Sequence, residues 1–299
     1  MKRISLLGIF ILMILILQAK PIKTLLISGH TGKAHSWQTT STFLKAILDA
    51  NKVFQTDLLL MKDTNILDDN FSPVFSNYQV VVLNIDEVKW TNETKASFVS
   101  YVKNGVGVVI VHEANNAFPE WKEYNLMTGL GGWGGRNEKS GPYYFWKDNK
   151  YVIDNSPGPG GKHGKRVPYV VNIREPEHFI TKGLPSKWLH QNDELYGNLR
   201  GPAQNITILA TAFSTSETGG TGKEEPVLFT INYGKGRVFH TVMGHVKPDY
   251  QDGLQDVGFQ VTFSRGTEWA ATGKVKQKLP TEFPTENAPL LFDLTKLKK

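Results

Sequence analysis

Gly107-Val-Val-Ile-Val-His-Glu113 is the stretch of sequence that decides the fold. Its apolar run shows no alternation of polar and apolar residues, a pattern typical of a strand buried on both faces of a parallel sheet. The run stops abruptly at a histidine and a glutamate. Because open parallel sheets build their binding sites at the carboxyl ends of their strands, the stretch predicts both a central strand and a site directly after it.

The same pattern repeats in the preceding part of the chain, where apolar runs alternate with amphipathic segments. Strands are predicted at Thr24–Ser28, Phe54–Leu60, Tyr78–Ile85 and Gly107–Val111, and helices at Ser36–Ala50 and Thr91–Lys103. Thr91 is the expected N-cap of the second helix, because its hydroxyl can accept a bond from a free backbone N–H. This alternation predicts an α/β fold with a mostly parallel, doubly wound sheet and helices on both faces.

The middle of the chain has a different composition. Residues 118–163 are rich in glycine and aromatic residues, as in Gly129-Leu-Gly-Gly-Trp-Gly-Gly-Arg136. Such an insertion beside a sheet is either a decorated surface loop or a rim on which sugar rings stack. Later elements are a strand at Ile206–Phe213, a hairpin of Pro226–Tyr233 with Val238–Met243, and a last helix at Phe259–Ala271.

Length and composition favour a single domain. The 299 residues, 40% of them hydrophobic, suit one large α/β domain at 20–273, followed by an extended tail at 274–299 that is rich in Pro, Thr and Lys. No arginine-rich stripe or interleaved basic and aromatic run is present, so we expect no nucleic-acid partner.

The first 19 residues predict a signal peptide. Lys2 and Arg3 precede the apolar run Leu6–Leu17, and Ala19 offers a small residue for cleavage. The run is shorter than the roughly 20 apolar residues that a membrane-spanning helix needs. We therefore expect an exported, periplasmic protein with no membrane association after cleavage. Cleavage removes the charges of Lys2 and Arg3, which lowers the formal net charge from +6 to +4.

Several kinds of chemistry are excluded by residues that the chain lacks. It has no cysteine, so it forms no disulfide and has no thiol nucleophile. It has no Gly-x-Ser-x-Gly nucleophile motif. The glycine-rich stretch at 129–135 does not lie between a predicted strand and a helix, so we expect no nucleotide cofactor.

Histidines and carboxylates fall at the ends of predicted strands in four separate segments. These candidates are His30, His35, His112, Glu113, Asn115, Asp193, Glu194, Tyr196 and His245. Histidine with a carboxylate can act as general acid and base near neutral pH. The same groups also bind Zn²⁺ or a similar divalent ion, for which the candidate ligands are His30, His112, Glu113 and His245. The spacing of these residues leaves both chemistries open.

The segments together resemble the ThuA-like, or trehalose-utilisation, proteins. The resemblance rests on Gly29-His30, His35-x-Trp37, Val-Ile-Val-His112, His178-Phe-Ile-Thr-Lys-Gly-Leu-Pro185, Asp193-Glu-Leu-Tyr196, Tyr233-Gly-Lys-Gly-Arg237 and Gly244-His245, and it covers roughly residues 23–269. It implies a flavodoxin-like sheet of the class I glutamine-amidotransferase type. In amidotransferases the turn after the corresponding strand carries a cysteine nucleophile, whereas here that turn carries His112 and Glu113. The resemblance therefore implies the fold without the amidotransferase reaction.

The family's association with trehalose implies an enzyme that acts on disaccharides or 3-keto-glycosides. A ketone at C3 acidifies the proton at C2, so a base can remove it and the C1 substituent can leave. On this hypothesis the catalytic residues are His112, Glu113, Asp193 and His245. The residues that contact the sugar are His30, His35, Trp37, Asn115, Trp133, Arg136, Glu194 and Tyr196. The alternative is a carbohydrate-binding protein without catalysis, and the oligomeric state is left open.

We expect the mature chain to begin at Lys20. Intact-mass spectrometry of the protein recovered from the periplasm of a bacterial host checks this expectation. The variant Ala19→Arg should remain unprocessed, because signal peptidase requires a small residue before the cut. A mature wild-type chain that retains residues 1–19 would contradict the prediction.

Overall fold

The computed structural model describes residues 20–30, 34–61, 67 and 70–293, and for His30 it describes the backbone alone. The predicted signal peptide and the end of the predicted tail, 294–299, lie outside the described residues. The described chain forms an 11-stranded sheet with helices on both faces, which confirms the predicted α/β fold.

The first half of the chain follows the predicted alternation closely. Its elements are β1 (Ile22–His30), α1 (Trp37–Ala50), β2 (Phe54–Leu60), β3 (Val80–Asp86), α2 (Asn92–Lys103) and β4 (Gly107–Val111). The four strands are parallel in the order β2-β1-β3-β4. Thr91 caps α2 as predicted, since its Oγ1 accepts a hydrogen bond from Thr94 N at 3.1 Å.

The second half adds an antiparallel extension to this parallel core. Its elements are α3 (Lys122–Thr128), β5 (Tyr143–Lys147), β6 (Lys150–Asp154), β7 (Lys162–His163), β8 (Val167–Ile173), β9 (Lys187–Asp193), β10 (Tyr196–Gly197), β11 (Ile206–Ser214), β12 (Lys223–Tyr233), β13 (Gly236–Thr241), α4 (Asp252–Gln255) and α5 (Val257–Thr272). β13 lies parallel to β4, and β12, β11, β8 and β9 follow it, each antiparallel to its neighbour. The hairpin predicted from the glycine turn is therefore β12–β13.

Adjacent residues of β13 show that α3 and α5 cover opposite faces of the sheet. Phe239 packs against Gly266 of α5 so closely that a Cβ at this glycine would overlap the phenyl ring. The next residue, His240, has its Nδ1 2.9 Å from the carbonyl oxygen of Thr128, at the end of α3. Successive side chains of a strand point to opposite faces, so the core is a sheet covered on both sides.

The antiparallel half of the sheet folds back over α5. The register of β11 against β12 shifts between Ile208 and Thr211, which marks a β-bulge, and bulges bend and twist a strand. β8 pairs with β11 at residues 210–212, from the bulge onward. The indole of Trp188, on β9, consequently lies against Gly258 of α5. The end of β9 thus returns to the carboxyl end of β13.

The aromatic and glycine-rich insertion is held to the domain by a buried arginine. The guanidinium of Arg200 lies 3.5 Å from the ring centroid of Tyr143 and donates to the carbonyl oxygen of Gly141 at 2.7 Å. Within the insertion β5 and β6 form a hairpin, and β5 contacts β12 through Trp146 and Glu224. The insertion is a packed layer and includes regular structure.

The tail from 274 to 293 contains neither helix nor strand and is bonded to the domain. The carboxylate of Glu268 accepts hydrogen bonds from the backbone N–H groups of Lys276 and Gln277, and Leu189 N donates to Thr285 O at 2.7 Å. Among the described residues, no helix has the length and apolarity required to cross a membrane.

A buried charge triad ties β9 to α5. His190 Nε2 lies 2.9 Å from Asp193 Oδ2, and its Nδ1 lies 3.1 Å from Asp256 Oδ1, with all three side chains fully buried. Burial by itself lowers the pKa of His190, but the charges of Asp256 and Asp193 outweigh it and raise the pKa to about 10. The imidazole is therefore protonated at neutral pH and bridges two carboxylates.

We expect His190→Gln to lower the free energy of unfolding by about 3–5 kcal/mol near pH 6, because it leaves two buried carboxylates without their counter-charge. The native pKa of about 10 lies above the ordinary value of 6.5, so this stabilisation is complete below about pH 6.5. It is lost as the pH rises towards 10. Urea unfolding at several pH values between 6 and 10 measures the difference in the free energy of unfolding between the variant and the wild type, called the gap below.

His178→Gln is the matched control for this measurement. Burial lowers the pKa of His178 to about 4, so its imidazole is neutral throughout the range tested. An unfolded histidine titrates near 6.5, so the free-energy difference between this control and the wild type should change by less than about 1 kcal/mol between pH 6 and 7.5 and be independent of pH above that. A gap for His190→Gln that stays constant from pH 6 to 10 would show that His190 is not an imidazolium in the folded protein.

Candidate active site

Four side chains from four segments converge at the carboxyl edge of the parallel strands. His35 follows β1, His112 follows β4, Glu194 follows β9 and His245 follows β13. One ligand atom from each lies within 4.8 Å of those of the other three. We call this set the four-residue cluster. It lies where the strand ends predicted a site, and it contains His112 and His245, which were predicted as ligands or catalysts.

His112 occupies a strained turn that aims its ring into the cluster. Its φ of 43° is in the left-handed region, which a non-glycine residue adopts at a cost of roughly 1–3 kcal/mol. The buried ring places Nδ1 2.6 Å from the carbonyl oxygen of Val242. A carbonyl only accepts hydrogen bonds, so Nδ1 carries the proton and Nε2 presents its lone pair to the cluster.

His245 faces His112 across the cluster. Its Nδ1 lies 3.3 Å from His112 Nε2 and 3.2 Å from Glu194 Oε2. Burial, together with the neighbouring His245, lowers the pKa of His112 to about 3. Burial, together with His35, lowers the pKa of His245 to about 3 as well. Both imidazoles are neutral at pH 7, the form that binds a metal or accepts a proton.

Asp193 lies behind His245 and positions it. The fully buried carboxylate accepts hydrogen bonds from the backbone N–H groups of Gly244 at 2.8 Å, His245 at 3.0 Å and Glu194 at 2.7 Å. A further bond comes from His190. All of these hydrogen bonds fix the two segments that carry His245 and Glu194. Asp193 acts on the cluster through them.

Aromatic rings form one wall of the site. Tyr196 stacks on His112 with ring centroids 4.1 Å apart, and its hydroxyl lies 3.1 Å from His35 Nε2. Trp133 lies 4.5 Å from Tyr196 between ring centroids. Tyr196 is buried, and its ring is enclosed by His112 and Trp133, so it has no face free for a sugar. Trp133 is half-buried, and an aromatic face of this kind is a surface on which a sugar ring can pack.

The cluster opens to solvent through a cavity of about 420 Å³. The cavity is lined by His163, Gly164, Lys165, Arg166, Glu194, His245 and Lys247. His163 is on the solvent side, with Nδ1 3.4 Å from Glu194 Oε1. Burial raises the pKa of Glu194, and the adjacent His163 opposes this shift. His163, Arg166 and Lys247 were not among the residues predicted from the sequence, although the basic run Lys162-His-Gly-Lys-Arg166 directly after a glycine loop is a signal that could have indicated the first two.

The structure places two of the predicted sugar contacts in the protein interior. Asn115 Nδ2 lies 3.2 Å from His240 Nε2, and this bond joins the turn after β4 to β13. Arg136 is buried, and its guanidinium donates to Gly132 O at 2.8 Å and to Asn125 Oδ1 at 2.9 Å. Both side chains are therefore buried away from the cavity and bond other parts of the protein.

The remaining candidates lie beside the cluster. Glu113 is fully buried in the same turn as His112 and is not a member of the cluster, although its charge acts on Tyr196, whose pKa is raised mainly by burial. Trp37 is the first residue of α1, and its carbonyl oxygen accepts a bond from Asn84 Nδ2 at 3.2 Å. The backbone of His30 ends β1, next to this edge of the sheet.

Comparison with known proteins identifies the family of the chain. The family model described as trehalose utilisation, ThuA, matches residues 23–270. A ThuA-like protein from Parabacteroides merdae shares 49% of its sequence with this chain, covers 92% of it and 98% of its own length, and superposes with a TM-score of 0.88. Among proteins with curated descriptions, the search found no match.

More distant structures share the fold alone. A ThuA-like protein from Bacteroides uniformis is 18% identical, with a TM-score of 0.55 over 87% of this chain and 95% of its own. Agd3, described as a novel carbohydrate deacetylase, is 12% identical, with a TM-score of 0.50 over 83% of this chain and 32% of its own. The family match over most of the chain and the close structural relative lead to one conclusion: the chain belongs to the ThuA, or trehalose-utilisation, family.

Proposed function

We propose that the chain is a carbohydrate-active enzyme whose four-residue cluster binds a divalent cation and whose substrates are glycosides, with 3-keto-glycosides as the leading class. One observation carries the proposal. Three imidazoles and a carboxylate from four segments of the chain converge within 4.8 Å, and two of the imidazoles are neutral.

The donor set suits a first-row divalent metal such as Zn²⁺. Zinc is bound by nitrogen and oxygen ligands in sets of three or four, and its histidine ligands bond a carbonyl or carboxylate through their second nitrogen. His112 meets this condition through Val242, whose carbonyl fixes the protonated nitrogen. Asp193 supports His245 through the backbone. The ring of His112 and the backbone of His245 are therefore both held in position by groups outside the cluster.

Such a cation would supply charge to stabilise a developing enolate or alkoxide on a sugar oxygen. The protein supplies the remaining functions. The half-buried ring of Trp133, which packs on the buried ring of Tyr196, positions the sugar beside the cluster. His163 lies beside Glu194 at the solvent end of the cavity, where it can pass a proton between the site and water.

Substrate class rests on the family and on the chemistry of the site together. The family model is described by trehalose utilisation, and an aromatic wall beside a polar centre is an arrangement that holds a sugar ring. A 3-keto-glycoside needs only removal of the acidified C2 proton and loss of the C1 substituent. The proposal also places the mature protein outside the cytoplasm, because Lys2, Arg3 and the apolar run Leu6–Leu17 have the form of an export signal.

We expect purified protein to bind one divalent ion per chain and to convert 3-keto-glycosides, but not their unoxidised parents, in a chelator-sensitive reaction. Elemental mass spectrometry measures the metal, and product analysis by mass spectrometry measures turnover. His245→Gln and His112→Asn should each weaken metal binding by more than about 100-fold, since even loss of a group that only supports a ligand costs 10- to 100-fold. Asparagine is chosen because it tolerates a left-handed φ.

His178→Gln is the control, because His178 is a partly buried histidine that packs on Trp269, away from the cluster. It should retain the metal and full turnover. If the protein binds the metal and calorimetry detects sugar binding, but no keto-glycoside is converted, the chain is a carbohydrate-binding protein and not an enzyme for these substrates. If the wild-type protein binds no divalent ion, the four-residue cluster is not a metal site.

A further inference from the structure

The mouth of the cavity carries a charge that the proposed reaction does not require. Lys165, Arg166 and Lys247 line it, and the one carboxylate that lines the cavity is Glu194. Glu194 already lies beside His163 and His245. We call the three basic residues the cationic rim. Within the described part of the chain, none of the ion pairs involves a member of this rim.

Arg166 is held in place by an aromatic ring. Its guanidinium carbon lies 4.1 Å from the ring centroid of Tyr250. The hydroxyl of Tyr250 donates to the carbonyl oxygen of Asn192, near the end of β9, so the ring is itself anchored. Stacking of this kind orients a guanidinium while leaving its N–H groups available to a ligand. The geometry is that of a prearranged anion contact.

Lys247 is presented by a short closed turn. Lys247 N donates to Tyr250 O at 2.9 Å, and Tyr250 N donates to Lys247 O at 3.0 Å. Lys247 also follows His245 by two residues, which ties its position to the cluster. On the other side of the mouth, Lys165 N donates to Thr218 O at 2.8 Å. The backbone of Lys247 and of Lys165 is therefore fixed by hydrogen bonds at the edge of the cavity.

From these observations we infer that the substrate is an acidic sugar, whose carboxylate or phosphate is bound by the cationic rim while its reacting carbon faces the four-residue cluster. The inference rests on the proposed function, which places the reacting carbon of the sugar beside the four-residue cluster. Arginine and lysine recognise carboxylate and phosphate alike through charge-assisted hydrogen bonds. The cavity of about 420 Å³ has the size of a small-molecule site.

The test compares three methyl α-glucosides that differ only at C6. Methyl α-glucuronide, methyl α-glucoside and methyl α-glucoside 6-phosphate are titrated by calorimetry into zinc-loaded protein. We expect at least one acidic sugar to bind roughly tenfold or more tightly than the neutral glucoside. This preference should decline as sodium chloride is added, because salt screens exposed charges. Whichever acidic sugar binds more tightly identifies the anion.

The double variant Arg166→Gln/Lys247→Gln should lose the preference for the acidic sugar and keep its affinity for the neutral one. Lys235→Gln is the matched control, since Lys235 is exposed in the turn before β13, at the opposite end of that strand from the site. It should retain the preference. Equal affinity of the wild type for acidic and neutral sugars, or a preference that survives in the double variant, would overturn the inference.

Metal content measured in the same samples separates this inference from the proposed function. A preference for acidic sugars that needs the rim, in protein that takes up no zinc, would refute the metal centre and support the rim. Full zinc occupancy with no preference for acidic sugars would refute the rim alone.

Discussion

The buried carboxylate of Asp193 is the constraint on which the site depends. It accepts backbone hydrogen bonds from Gly244 and His245 after β13, a third from Glu194 after β9, and a fourth from the side chain of His190. A carboxylate without water is unstable unless its lone pairs are satisfied and its charge is balanced. Satisfying this one group therefore joins two segments that are 51 residues or more apart in sequence.

A second constraint fixes the opposite side of the cluster. His112 follows β4 in a left-handed conformation, and its ring is locked by the carbonyl of Val242. Val242 lies just beyond β13, so the β4–β13 pairing that builds the parallel core also fixes the hydrogen bond that selects the tautomer. Strain at His112 is compatible with the fold because the surrounding sheet over-determines its backbone. The pairing of β4 with β13 therefore determines both the order of the sheet and the orientation of the His112 ring.

These constraints determine which groups meet at the carboxyl edge of the sheet. The converging groups are three imidazoles and a carboxylate, a set that suits a cation or a proton transfer. The aromatic insertion then adds a wall beside the centre through Trp133, and the segment after it adds the charged mouth through Arg166.

Local sequence determined the parallel half of the fold. The apolar run Gly107–Val111 and the capping residue Thr91 depend only on neighbouring residues in the sequence. The strands, the helices and this capping residue were therefore predictable. Strand ends also located the site, because parallel strands place their carboxyl ends on one edge. His112 and His245 were found in this way.

Only the tertiary structure decided which of the polar residues meet. Asn115 and Arg136 lie near His112 and Trp133 in sequence, yet both side chains are buried and bond other parts of the protein. His163 and Arg166 reach the mouth because β7 pairs with β10 and the bulged β11 turns β8 and β9 back over α5. Such long-range pairings are set by packing of the whole chain. No pattern within a single segment encodes them, whereas the strands, helices and strand ends are encoded locally.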